Sequence, residues 1–190
     1  GNTRRFGSSL EKIKQVVDVR DGEIMFGLNM VVHKGRTIFV GDTSVHEYPT
    51  SEQMAEIAIS AARVVKLFGF DPKVAFVSHS TFGKHIKSKT KHIRKAVEIL
   101  REKKVSFEFD GDMQPDVALN KEYQDLYPFS KIVGNAKILI MPGQHSAAIS
   151  YKMMKTLGDT KVIGPLLIGL GLPIEIVPLR SSTSEIINLA

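Results

Sequence analysis

The chain has 190 residues, 43% of them hydrophobic and 24% charged, with 26 Lys and Arg against 20 Asp and Glu. That length buries one sizeable core, and the missing cysteine excludes disulfides, thiolate metal sites and a cysteine nucleophile. No apolar run reaches the roughly 20 residues that span a bilayer, and the opening residues GNTRRFGSS lack the apolar stretch of a secretory signal, so a cytoplasmic protein is expected.

Ser8 and Ser9 are suited to cap a short helix whose apolar positions Leu10, Ile13, Val16 and Val17 follow helical spacing. Two apolar runs, 23–32 and 37–40, flank His33-Lys34-Gly35-Arg36, where Gly35 permits the tight turn of a β-hairpin. Thr50 as N-cap and Gln53 three residues on predict a capping box opening a helix that Gly69 stops. The chain then alternates. Residues 73–78, 105–110 and 136–141 read as strands, 87–103 and 145–157 as helices, and 114–126 as weakly helical. Gly164, Gly169 and Gly171 suggest a turn with close backbone packing, followed by a last strand at 173–177 and a last helix at 182–190. The rhythm predicts an α/β fold of three layers, a mostly parallel sheet with helices on both faces, plus an amino-terminal β-hairpin. Gly1 in place of an initiator Met, and the closing residues SEIINLA breaking off an apolar pattern, suggest a piece of a longer protein.

In open α/β sheets ligands bind beyond the carboxyl ends of the strands. The loops expected there are rich in small hydroxyl residues and glycine, which let backbone N–H groups approach an anion. They supply the candidate ligand contacts Asp42 and Thr43; Ser78, Ser80, Thr81 and Gly83; and Gln144, His145 and Ser146. His79 and His145 have the chemistry to meet a phosphate or move a proton, and Asp110 with Asp112 form a possible carboxylate pair, though Asp112 is equally placed to cap a helix. Tyr151 and Lys152 follow on the next helix. Ser78 and Ser80 sit in no G-x-S-x-G elbow, and no glycine-rich phosphate motif occurs. His85 and His92 lie seven apart with no carboxylate to complete a set, so no metal site is expected. Nine Lys or Arg lie between Lys84 and Lys104 against Glu98 and Glu102, a charge density that attracts phosphates or simply solvates a helix face. No aromatic interleaving accompanies it, and nucleic acid is not an expected partner.

Four segments in order then form a recognisable set. They are Gly41-Asp42-Thr43-Ser44-Val45-His46 with Pro49-Thr50-Ser51-Glu52-Gln53, Phe109-Asp110-Gly111-Asp112-Met113-Gln114 with Asp116, Ile149-Ser150-Tyr151-Lys152, and Ile163-Gly164-Pro165-Leu166-Leu167-Ile168-Gly169-Leu170. Together they resemble the phosphate acetyl/butyryltransferase family over essentially the whole chain. The match is to the later part of a two-lobed fold. Residues 23–165 would make one lobe, with 1–22 and 166–190 contributing to the other, truncated one. Asn2-Thr3-Arg4-Arg5-Phe6, Val45-His46-Glu47, Ser80-Thr81-Phe82-Gly83 and Leu126-Tyr127-Pro128-Phe129 look most like the subgroup that ends bacterial multidomain NADP-dependent malic enzymes.

That resemblance implies a domain that helps assemble a homo-oligomer, at least a dimer, and binds acetyl-CoA or a related acyl-CoA. NADP and a divalent metal would belong to the rest of the malic enzyme, with no resident cofactor in this domain. Active acetyltransferases of the family carry a Ser-Arg pair before the last helix and an Asp near its start. Here Pro178 and Leu179 stand at the pair, Glu185 near the Asp, and Arg180 one residue late. The resemblance therefore implies ligand roles for Arg180 and Glu185 and no catalytic residue. A working phosphate acetyltransferase, moving acetyl between acetyl phosphate and coenzyme A, is the alternative.

Overall fold

The computed structural model describes residues 5–83, 88–177, 181–187 and 189. Strands β1 (Phe26–His33) and β2 (Arg36–Gly41) pair antiparallel and close on His33↔Arg36. Their two-residue turn has positive φ at both Lys34 (47°) and Gly35 (76°), the hand that matches strand twist and that glycine adopts without steric cost. Helix α2 (Ser51–Leu67) begins with the expected capping box: Thr50 accepts from the Gln53 N–H while the Gln53 side chain takes the Thr50 N–H. It ends at Phe68, and Gly69 follows with φ 80°.

Strand β3 (Lys73–Val77), helix α3 (Ser88–Glu102), strand β4 (Glu108–Met113), short helices α4 (Pro115–Leu119) and α5 (Lys121–Gln124), strand β5 (Ile138–Ile140), helix α6 (Gln144–Leu157) and strand β6 (Thr160–Ile168) complete one six-stranded sheet. Its order is β4-β3-β5-β2-β1-β6. The four strands from β4 to β2 run parallel, and β1 and β6 extend the sheet antiparallel. Helices α1 (Phe6–Val16) and α7 (Thr183–Ile187) lie at the ends of the described chain.

Strand periodicity divides the core. In β5, Ile138 and Ile140 face one cluster with Phe26, Leu28, Phe39 and Phe76, while Leu139 faces the other with Val31, Val40 and Val77. The first cluster is covered by α2 and α3. The alanines Ala55, Ala58, Ala61 and Ala62 let α2 lie close to the sheet. The second is covered by α4 and α6 through Ala118 and Ala147. The result is the mixed α/β, three-layer arrangement expected. A third cluster joins Leu10 and Val17 of the amino-terminal segment to Met25, Leu167, Leu170 and Ile176.

Local expectations need correction in four places. Helix α1 starts at Phe6 with Arg5 at its N-cap and no side-chain cap, so Ser8 and Ser9 lie inside its first turn. Strand β4 runs three residues later than expected, because it aligns on β3 with Lys73↔Glu108 and carries the ladder through Gly111. A side chain at 111 would place its Cβ 2.7 Å from the Phe76 carbonyl oxygen, so glycine there permits the close approach of β4 to β3. Of the three glycines read as a turn, Gly164 lies in edge strand β6, where Pro165 lacks a donor at little cost, while Gly169 and Gly171 do lie in the bend that follows it. The expected close packing is present: Gly164, at φ 128°, would drive a Cβ to 2.9 Å from the Leu28 carbonyl oxygen. Residues 173–177 form no strand. They lie beside β6 through the Glu175 side chain, which accepts the Leu167 N–H.

Candidate functional site

The carboxyl ends of β2, β3, β4 and β5 lie at one edge of the sheet. The chain leaves β3 across the α2/α3 face and leaves β5 across the α4/α6 face, so a topological switch point falls between these neighbouring strands. The loops at 78–83 and 141–143 flank it, with the loop at 42–50 and the carboxyl end of β4 to either side. The expected polar loops are therefore brought together.

Their side chains are largely committed to one another. Asp42 is buried, and its carboxylate accepts five hydrogen bonds, from the N–H groups of Gly27, Ser44, Val45 and His46 and from His46 Nδ1 at 2.7 Å. Thr43 donates to Asn29 Oδ1 at 2.8 Å. Asn29 is fully buried and its Nδ2 has no partner among the described residues. Gly27 fits beneath this loop because any Cβ there would meet Ser44 Oγ at 2.6 Å. The Asp42 loop is thus built by its own carboxylate rather than left open for a ligand.

On the other side, Ser80 donates to Asp112 Oδ2 at 2.9 Å, and Arg94 Nε donates to Asp112 Oδ1 at 2.7 Å. The same guanidinium donates to the Gly83 carbonyl at 2.6 Å, and Phe82 N–H donates to the Asp112 carbonyl. Thr81 Oγ1 accepts the Gln114 N–H. Ser78 Oγ is buried, 3.4 Å from His79 Nδ1, with no carboxylate behind that histidine among the described residues to make it a base. Asp110 accepts from Arg101, its own neighbour Gly111 N–H and Lys131 N–H. Asp110 and Asp112 are therefore separate buried carboxylates, each with its own arginine, not a proton-sharing pair, and Asp112 caps no helix.

At the third loop, His145 Nε2 lies 3.3 Å from Glu47 Oε1 and its ring stacks on Tyr48 with centroids 6.3 Å apart. Ser146 donates to the Gly143 carbonyl, and the Gln144 N–H donates to the Glu47 carbonyl. The loop after β2 is thereby latched to the start of α6. Along α6, Tyr151 packs against the second cluster, and burial raises its hydroxyl above the ordinary range. Lys152 is exposed. Glu185 meets Lys155 at 2.7 Å and caps α7 reciprocally with Ser182. The bond from Lys155, then the Ser182 N–H, lower its carboxyl to about 2. Pro178, Leu179 and Arg180 lie outside the described residues, as does His85.

Four of the nine cations in the basic stretch meet acids. Arg94 and Arg101 pair with Asp112 and Asp110, while Lys95 and Lys103 reach Glu52 and Glu56 of α2. The bond from Lys95 lowers Glu52 to about 2. Sequence reasoning missed Arg94 and His46. Arg94 was hidden in a charged helix, whereas the four-residue step from Asp42 to His46 was visible. Among the described residues, no cluster of three or more His, Asp or Glu suited to a metal occurs and no helix is long and apolar enough to cross a membrane.

A profile of the family described as phosphate acetyl/butaryl transferase matches residues 1–190. The chain is 42% identical over 190 residues to an NADP-dependent malic enzyme of Rhizobium meliloti, covering all of this chain and 25% of that protein. It is 30% identical over 178 residues to a phosphate acetyltransferase of Bacillus subtilis, covering 93% of this chain and 55% of that one. A phosphotransacetylase structure from Streptococcus pyogenes superposes with a TM-score of 0.90 at 28% identity, over 100% of this chain and 59% of the other. The chain thus spans about a quarter of the length of the malic enzymes it matches.

Proposed function

The chain belongs to the phosphate acetyl/butaryl transferase family, and from that premise we propose that it is the acetyltransferase-like carboxyl-terminal domain of an NADP-dependent malic enzyme, serving assembly and regulation by acetyl-CoA rather than acetyl transfer. One observation carries the reading: identity to such a malic enzyme reaches 42% and extends over all 190 residues. The loss of transfer chemistry rests on Pro178 and Leu179, which replace the expected Ser-Arg pair. Neither offers a hydroxyl to the thiol or a positive charge to the oxygen that becomes negative during transfer. The internal bonding of Asp42, Ser80 and Asp112 supports a scaffold that holds a cleft in shape. Gln144, Tyr151, Lys152 and Arg180 are among the contacts open to an acyl-CoA. In this reading malate is decarboxylated oxidatively to pyruvate elsewhere in the protein, where NADP and the metal are held.

The test uses the full-length protein. Malate-dependent NADP reduction is measured with and without acetyl-CoA, and the same preparation is assayed for acetyl-CoA formation from acetyl phosphate and CoA. We expect the first rate to change with acetyl-CoA and the second to stay at the uncatalysed level. Transfer that disappears in Arg180→Ala would replace this reading with that of a working phosphate acetyltransferase. A malate rate indifferent to saturating acetyl-CoA would remove the regulatory half.

A further inference from the structure

The second core cluster stops short of the amino edge of the sheet. That edge lies opposite the candidate site: β1 ends there at His33, and β2 and β6 begin there at Arg36 and Thr160. Helix α4 ends at Leu119 and α6 at Leu157. Between these helix ends and the strands lies a cavity of about 420 Å³, within the range of about 300–1,000 Å³ usual for small-molecule pockets. Val31, Ile38, Leu119, Met154 and Leu157 make its walls apolar. Ile38, Leu119 and Met154 are only partly buried although they pack on that cluster, so apolar surface stays open where a filled core would cover it.

The polar groups at its mouth are not equivalent. His33 Nδ1 and Thr160 Oγ1 lie 2.9 Å apart and satisfy each other. Arg36 spends one N–H on the Leu119 carbonyl at 2.8 Å, which fixes the guanidinium beside the cavity. It forms no ion pair among the described residues, so the other donors of its planar fork meet no acid there. Lys137 donates to the Thr37 carbonyl and likewise pairs with no acid among the described residues. Burial, and then the charge of Arg36, lower its ammonium. The adjoining surface dip carries Lys34 and Asp159, one charge of each sign. The rim thus keeps a positive excess above apolar walls.

We propose that this cavity binds a small monocarboxylate with an aliphatic or aromatic body, the body held between the strands and the ends of α4 and α6 and the carboxylate on Arg36. The apolar walls favour the body whatever head it carries. The guanidinium then selects a planar anion, which it meets with parallel N–H donors, and repels a cation. The site goes beyond the proposed function: it lies at the edge opposite the polar loops and stands whether or not the domain answers to acetyl-CoA.

The test is calorimetric titration of the full-length protein with hexanoate, hexanol and hexylamine, which share one chain and differ in the head. Hexanoate should bind about tenfold tighter than hexanol, the lower end for a hydrogen bond to a charged group, because the rim is open to water. Hexylamine should bind most weakly. In Arg36→Gln the amide still donates to the Leu119 carbonyl, and hexanoate should bind no tighter than hexanol. Met154→Trp fills the cavity from α6 while leaving Arg36 in place, and should abolish binding of both. Equal affinity for hexanoate and hexanol in the parent would overturn the proposal. So would a preference for hexanoate that survives in Arg36→Gln, or binding that survives in Met154→Trp. A smaller particle in light scattering of Met154→Trp would assign the cavity to a second copy of this chain and overturn it as well.

Discussion

At the scale of single residues, the tightest constraint beside the site is Gly27. A methyl group there meets Ser44 Oγ at 2.6 Å and Thr43 Oγ1 at 3.1 Å, within the loop that Asp42 organises. Gly27→Ala should therefore displace the loop and destabilise the protein by about 1–3 kcal/mol, as overpacking of a filled site does. Ser44→Gly in the same chain should recover part of that loss. Urea denaturation of the single and double variants measures both.

Glu175 makes a second residue-level prediction. Burial raises its carboxyl from 4.5 to about 7 in the folded protein, opposed by the bond from the Leu167 N–H. Below pH 4.5 both folded and unfolded forms hold the proton, and the group costs nothing. Between 4.5 and about 7 the unfolded chain ionises first, so stability falls as pH rises. Glu175→Gln keeps an acceptor for Leu167 and removes this decline. At pH 8 the variant should be more stable by about 1 kcal/mol, after discounting for a group that is only half-buried, with the difference gone near pH 4.

At the scale of elements, what was legible in the sequence was what neighbours in the chain decide. The capping box of α2 was legible because Thr50 and Gln53 bond each other's main chain across three residues. Thr50→Ala should cost about 1 kcal/mol and lower the melting temperature by about 3 °C in a thermal scan. The hairpin turn was legible because Gly35 announces positive φ. The limits of β4 were not, since Asp110-Gly111-Asp112 looks like a turn until β3 is laid beside it. Likewise the apolar run at 173–177 has the composition of a strand, but Glu175 meets β6 with its side chain and no ladder forms. Helix α3 reads as a solvated charged face. Its Arg94 in fact reaches a carboxylate with 1% exposure. Arg94→Ala leaves that charge buried and unpaired, and should cost about 3 kcal/mol in denaturant titration, several times a surface substitution.

At the scale of the molecule, the excess of positive charge is met by acids only in part. The chain carries a net charge of +6, yet Arg94, Lys95, Arg101 and Lys103 all face acids. A cation already paired to a carboxylate releases few counterions from a phosphate backbone. Gel-shift assays with duplex and single-stranded DNA at physiological salt should show no complex. The proposed role in assembly belongs to this scale as well. Light scattering of the full-length protein, compared with one lacking these residues, should show a smaller particle for the truncated form.

The sequence by itself determined the alternation of strands and helices, the hairpin, the helix cap and the family. Each is written in spacing along the chain, where sterics and hydrogen bonding act over a few residues. Only the tertiary structure decided where the polar groups went. Asp42 was a ligand candidate until it met the main chain of Gly27, 15 residues away. Ser80 was one until it met Asp112, 32 residues away. Buried polar atoms must find partners, and in a folded sheet the nearest partner lies on an adjacent loop rather than along the chain. The same rule set His46 Nδ1 against Asp42, four residues back along the same loop.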